Sequence, residues 1–402
     1  MAEAQAGIPR IRPGHGPAVL GYGFRPFFFA AALWGVVSML LWIPTIVGMP
    51  VLATAFEPLR WHAHEMLFGF VGAAVCGFLL TAIPNWTGRL PLQGMPLLGL
   101  ALLWLAGRVA VAISAVIGAG PAAVIDLSLW VVLLGVVLRE ILAGKNWRNL
   151  PMAGALALFL VANALMHAEL LGWGDTGALG WRLGIAVIVM LIVLIGGRIV
   201  PSFTRNWLAK RGPGPLPAQF GGVDRATMAG TLVGVLAWTV LPEEPVTGVL
   251  AALAAVLNAV RLGRWQGQRT AAEPLVLILH LGYVWIPIGL AFLAASILMP
   301  AFPALAAIHA FGAGAFATMM LAIMTRATLG HTGRTLHAGA ATSVIYLLVT
   351  LAALLRLGAT FVPALYTPLL HSSGGAWIAA FALYLAVYGP MLLSPRPDGK
   401  PG

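Results

Sequence analysis

The chain has 402 residues, of which 60% are hydrophobic and only 9% charged, where soluble domains carry about 25% charged residues. There is too little polar surface to cover a water-soluble body of 42.1 kDa. A soluble enzyme, a disordered regulator and a secreted disulfide scaffold are therefore excluded, and the single cysteine, Cys76, rules out an internal disulfide or a cysteine-rich metal cluster.

Walking the chain with a window near the ~20 residues that a helix needs to cross a bilayer gives about twelve apolar runs. Their cores fall near 26–46, 61–83, 95–117, 121–143, 150–172, 179–200, 224–241, 246–264, 273–298, 303–325, 338–358 and 375–394. The runs are apolar all round rather than alternating, which predicts helices and not a barrel. The expected fold is an all-α polytopic membrane protein forming one integral domain, with an N-terminal tail over 1–25 and a C-terminal tail over 395–402. A GPGPLP-rich loop over 201–223 divides the spans into halves.

The net charge of +11 is spread over short loops, a pattern that addresses a lipid bilayer and not nucleic acid. Arg10, Arg12 and Arg25 precede the first span with no apolar core among them, so the N-terminus does not read as a cleavable signal peptide. Basic residues then fall in alternate connections, among them Arg89, Arg139, Lys145, Arg148, Lys210, Arg211, Arg264, Arg334 and Arg396. That asymmetry puts both termini in the cytoplasm.

Three span ends share a Thr–Arg element. The second closes with IPNWTGRLPL, the sixth with IVPSFTRNWL and the tenth with MTRATLGHTGRTL. Thr87 follows His64 by 23 residues, and Thr332 follows His309 by the same 23, whereas Trp181 stands at the matching position before Thr204. Recurrence every four spans suggests three four-helix units.

Ionisable side chains at membrane depth are costly and call for a functional account. His62, His64, His167 and His309 sit in the outer third of spans two, five and ten. Imidazoles at matching depth on different helices suit an axial haem pair, so His64 and His309 are expected as haem ligands. His62 points away from His64 on a helix and is expected to share a metal with His167. The adjacent Glu65 and Glu169 are candidates to orient these imidazoles. Arg60, Arg108 and Arg182 are candidates to meet haem propionates, Arg108 alternatively pairing with Asp126. His280, His331 and His337 form a lesser candidate site on the other side. Each histidine has a plainer reading as a hydrogen-bonding group between helices.

GFRPFF at 23–28, WHAHEMLFGF at 61–70, GFLLTAIPNWTGR at 77–89, GGRIVPSFTRNWL at 196–208 and MTRATLGHTGR at 324–334 resemble the NnrS family, in order along nearly the whole chain. The resemblance implies a bacterial inner-membrane protein that contains haem and copper and acts in the response to nitric oxide and nitrosative stress. Haem b and copper are therefore the expected cofactors, and nitric oxide, the bilayer and an unidentified electron donor the expected partners. A haem-dependent oxidoreductase acting on nitric oxide is one reading. The four-span repeat also resembles the core subunit of heme–copper oxidases, except that spans six and seven carry no histidine. The alternative is a transporter or metal-handling permease without haem, which the scarcity of midplane carboxylates beyond Asp126 disfavours.

Overall fold

The computed structural model describes residues 16–49 and 51–400; Arg10, Arg12, His15 and most of the N-terminal tail lie outside them. Among the described residues there is no strand, and twelve helices of 18 residues or more follow one another. They are α1 (Phe24–Ile46), α2 (Pro58–Thr87), α3 (Met95–Ala112), α4 (Ala119–Ala143), α5 (Leu150–Leu170) and α6 (Gly177–Leu208). Then come α7 (Gly222–Val240), α8 (Pro245–Gly263), α9 (Pro274–Leu298), α10 (Ala304–His331), α11 (Ala340–Phe361) and α12 (Tyr366–Leu393).

Eleven of these helices are long and apolar enough to cross a membrane. The exception, α7, is the short seventh run, and it opens on Asp224 and Arg225. The chain is an all-α multi-pass membrane protein. The break between α3 and α4 falls at Gly118, whose φ of 90° no ordinary L-residue adopts readily. The central loop is shorter than the expected 201–223, because α6 runs through Pro201 to Leu208. Proline inside a membrane helix is tolerated where neighbours satisfy the freed backbone. The loop is tied down by Arg205 Nη2 donating to the Pro217 carbonyl at 2.6 Å and the Ala218 amide donating to the Arg264 carbonyl at 3.1 Å.

Burial sorts the helices into inner and outer sets. The apolar window of α2 is 78% buried, that of α10 67%, and those of α6 and α9 61%, against 39–44% for the other spans. The inner set thus holds the three helices whose ends share the Thr–Arg element. Each also contains a π-helical stretch, at Glu65–Val71, Ile192–Gly196 and Ala310–Phe316. The stretches in α2 and α10 are both seven residues and directly follow His64 and His309, so the sequence repeat is also a repeat of backbone shape. The two Thr-Gly-Arg ends agree as well. Gly88 and Gly333 take left-handed φ values of 70° and 73°, the usual geometry of a glycine that stops a helix. Helix α6 departs on both counts, with a shorter π stretch and no glycine at its end.

Side chains of outer helices add hydrogen bonds to carbonyls within the π stretches. Trp104 Nε1 of α3 donates to the Gly69 carbonyl at 3.1 Å, and Arg261 Nη1 of α8 donates to the Val193 carbonyl at 2.8 Å. Arg261 is wholly buried. Its Nε donates to Asp224 Oδ1 of α7 at 2.9 Å, and Tyr283 of α9 joins the group and donates to Asn258 Oδ1 at 2.7 Å. At the C-terminus, Arg396 reaches back to the His331 carbonyl at 3.0 Å, and its ion pair with Asp398 holds that carboxyl below the usual carboxylate range.

Removing one partner of a buried ion pair strands the other charge, at a cost of about 3–5 kcal/mol. Asp224→Ala is expected to lower the unfolding free energy in detergent by about that amount, and an added Arg261→Met change to recover part of it. A loss below about 1 kcal/mol would show that Arg261 does not depend on Asp224.

Candidate metal centre

The centre is assembled from six side chains on α2, α3, α4 and α5. His64 lies at the end of the α-helical first part of α2, and Glu65 opens the π stretch. Arg108 comes from the last turns of α3, Asp126 from the second turn of α4, and Asn163 and His167 from successive turns of α5. All six side chains are buried.

Asp126 is the hub. Its Oδ2 lies 3.3 Å from His64 Nε2 and 3.1 Å from His167 Nε2, and accepts from Asn163 Nδ2 at 2.7 Å. Its Oδ1 is paired with Arg108 Nη2. Arg108 Nη1 donates to Glu65 Oε1 at 2.6 Å, and the same oxygen lies 3.0 Å from His64 Nδ1. Asn163 Oδ1 faces His64 Nε2 at 2.8 Å. The two imidazoles stand nearly perpendicular, with ring centroids 5.1 Å apart. Phe56 covers both, at 5.1 Å and 5.5 Å, and Phe68 packs on His64 at 5.2 Å. Phe56 is held in place because the preceding chain is pinned to Ser114, whose hydroxyl accepts from the Ala55 amide at 2.9 Å.

Two features of this arrangement call for a cation. The first is charge: two carboxylates face one guanidinium, which leaves one negative charge when both imidazoles are neutral. The second is hydrogen-bond polarity. His64 has acceptors on both sides, Glu65 Oε1 at Nδ1 and the Asn163 and Asp126 oxygens at Nε2. A neutral imidazole carries only one N–H, so one of these approaches needs a second proton or a metal ion. His64 Nε2, Asp126 Oδ2 and His167 Nε2 form the metal-ligand group found among the described residues, with its donor atoms all within 4.8 Å of one another. The two separations from Asp126 Oδ2, 3.1 Å and 3.3 Å, are near the edge of a tetrahedron with bonds of about 2.0 Å. Glu65 Oε2, Arg108 Nε and His167 Nδ1 are buried without hydrogen-bond partners, so the polar network is incomplete as it stands.

The structure pairs the outer histidines differently from the sequence expectation. His64 meets His167, and not His309. His62 stacks on Trp42, with ring centroids 4.3 Å apart and planes 13° from parallel, and it shares the electrostatic surroundings of His309 and Arg356 rather than those of His167. His62 and His64 therefore have different neighbours, Trp42 for the first and the Asp126 group for the second. Equal depth on repeat-related helices gives equivalent positions, and equivalent positions look onto different neighbours. His309 Nδ1 donates to the Leu305 carbonyl at 2.8 Å, which leaves Nε2 with its lone pair available.

The remaining candidates divide. Glu65 does meet His64, and Arg108 does pair with Asp126. Glu169 turns away from His167 and pairs with Arg60 at 3.2 Å. Arg182 reaches the Thr239 carbonyl at 3.4 Å. His280, His331 and His337 are not gathered into one site. His280 bonds Thr204 Oγ1 at 2.8 Å, His331 packs between Tyr22 and Phe24, and His337 pairs with Glu273 at 2.8 Å. Asn163 was not anticipated, although it precedes His167 by one helical turn and so shares its face.

The motifs around this centre also decide the family. The family model described as NnrS protein matches residues 18–396. The chain belongs to the NnrS family. No curated protein matches it. NnrS membership agrees with the multi-pass architecture and with a metal-binding, membrane-embedded role in the nitric oxide response.

Arg108→Leu leaves the Glu65 and Asp126 carboxylates facing each other without their guanidinium, and should cost about 3–5 kcal/mol of stability. A double-mutant cycle checks the hub directly. Adding Asp126→Asn to Arg108→Leu should cost less than Asp126→Asn alone; additive losses would mean that the two side chains are not coupled.

Proposed function

We propose that this chain is a haem- and copper-containing protein of a bacterial inner membrane, with both termini cytoplasmic, that binds nitric oxide or passes electrons to it inside the bilayer as part of nitrosative-stress resistance. The observation that carries the reading is the buried His64–Asp126–His167 group, whose nitrogen and oxygen donors converge within metal-binding distance of one another. Imidazole with a carboxylate is a donor set that copper accepts, and we assign copper to these three residues. Haem b would be held in the His309 neighbourhood, by Nε2 of His309 and by His62. Arg356 is the cation beside them for propionate groups. When bound, these groups supply one-electron chemistry and a coordination position for a diatomic ligand.

The chain's own residues supply the setting. Arg108 and Asn163 hold Asp126 by hydrogen bonds, and Glu65 orients His64. Phe56 and Phe68 keep water from the imidazoles. Nitric oxide is uncharged and apolar, so the bilayer concentrates it where these residues lie. A cavity of about 100 Å³ between α2, α6 and α10 is lined by apolar side chains such as Ala74, Phe78, Ile188, Met319 and Met320. An open apolar pocket of this kind admits small apolar molecules from its surroundings, which supports access of a diatomic gas to the inner helices. The electron donor is a separate partner.

The test is metal and haem content of the detergent-purified protein, read by elemental analysis and by absorption spectra before and after nitric oxide. His64→Ala and His167→Ala should each lose most of the copper and keep the haem bands, whereas His309→Ala should lose haem and keep copper. A shift of the Soret band on adding nitric oxide supports direct binding. A His64→Ala protein that loses haem and keeps copper reverses the assignment. Absence of both groups from the wild type, after expression with ample haem and copper, overturns the reading in favour of a permease.

A further inference from the structure

A second cavity lies on the opposite, basic side of the protein, away from His64 and His167. It has a volume of about 410 Å³ and sits where the end of α2 and the loop at 88–92 meet α4. Its floor is apolar, made by Leu80, Ile83, Leu92 and Val136. Its polar edge is made by Arg89, Arg139 and Glu140. Gly88, with its left-handed backbone, ends α2 and directs the chain so that Arg89 crosses to α4.

Charge at this edge is unequal. Arg89 Nε is paired with Glu140 Oε2, while Arg139 donates to Glu140 Oε1 from Nε at 2.9 Å, with Nη2 at 2.8 Å. Two guanidinium groups therefore share one carboxylate, and one positive charge is left over. The arginine side chains are 45% and 62% exposed, whereas that of Glu140 is 12% exposed. The cations face outward and the carboxylate lies behind them. The cavity falls within the ~300–1,000 Å³ range of small-molecule sites, yet it is too small to enclose two acyl chains. Basic pockets between transmembrane helices, at the depth where spans end, hold anionic lipid headgroups.

We propose that this cavity is a binding site for an anionic glycerophospholipid. Its phosphate displaces part of the Glu140 pairing at Arg89 and Arg139. Its glycerol and first acyl carbons lie on the Leu80, Ile83, Leu92 and Val136 floor, and its tails continue into the bilayer. The uncompensated charge selects an anionic headgroup over a zwitterionic one, and the apolar floor selects a lipid over free phosphate.

The experiment is native mass spectrometry of the full-length protein in detergent, titrated with phosphatidylglycerol, with phosphatidylcholine and with inorganic phosphate. Wild type should retain phosphatidylglycerol at least several-fold better than phosphatidylcholine, and millimolar phosphate should not displace it. Arg89→Gln and Arg139→Gln should each weaken retention about fivefold, corresponding to about 1 kcal/mol per basic residue at a membrane surface. Glu140→Gln removes the competing carboxylate and should strengthen retention, so the proposal stays testable if an arginine variant fails to fold. Equal retention of the two lipids, displacement by phosphate, or a Glu140→Gln variant that binds phosphatidylglycerol more weakly would each overturn it.

Discussion

A charged guanidinium deep among apolar helices is tolerable only if its charge and its N–H groups are met by fixed partners. Arg108 meets that condition through Glu65 on α2 and Asp126 on α4, and much of the outer half of the protein follows from it. Holding Asp126 from one side leaves its other oxygen facing His64, Asn163 and His167. Holding Glu65 fixes the acceptor for the other nitrogen of His64. Four helices are thereby registered at one depth, and two imidazoles are brought into contact from helices that are distant in sequence. The same pairing sets two carboxylates against one guanidinium.

The π stretches explain how the inner helices carry polar chemistry without exposing backbone to lipid. A widened turn displaces side chains from their regular spacing. In α2 and α6, Trp104 and Arg261 from outer helices add side-chain hydrogen bonds to carbonyls of these stretches. The outer helices are therefore more than a lipid-facing ring: they tie onto the backbone of the inner ones. The stretches in α2 and α10 begin just after His64 and His309, so the two histidines occupy corresponding places in a repeated backbone feature while facing different neighbours.

The polar groups on the two sides of the bilayer are built for different tasks. In the His64 centre, Glu65 and Asp126 face the single guanidinium of Arg108, and Phe56 and Phe68 enclose the imidazoles. On the basic side, Arg89 and Arg139 outnumber Glu140 and are open to the surroundings, which suits an anion that comes and goes. Between them the inner helices leave an apolar space lined by α2, α6 and α10.

Much of this was legible in the residues themselves. Composition and the length of the apolar runs fixed the class and eleven of the spans, and they marked the seventh as the short one, because hydropathy acts locally and each helix satisfies its own backbone. The paired spacing of His64 with Thr87 and of His309 with Thr332 pointed to corresponding helix ends, and Gly88 and Gly333 there share a left-handed backbone. Glu65 beside His64 and Arg108 with Asp126 were readable because neighbours in sequence, or on consecutive helices, are neighbours in space. The histidine partners were not readable. Depth can be counted along a chain, but which face of α2 looks toward α5 and which toward α10 depends on how twelve helices rotate and pack. The place of Asn163, the turning of Glu169 to Arg60 and the shared carboxylate of Glu140 are likewise decisions of tertiary packing, since each rests on a contact between side chains whose distance no linear spacing encodes.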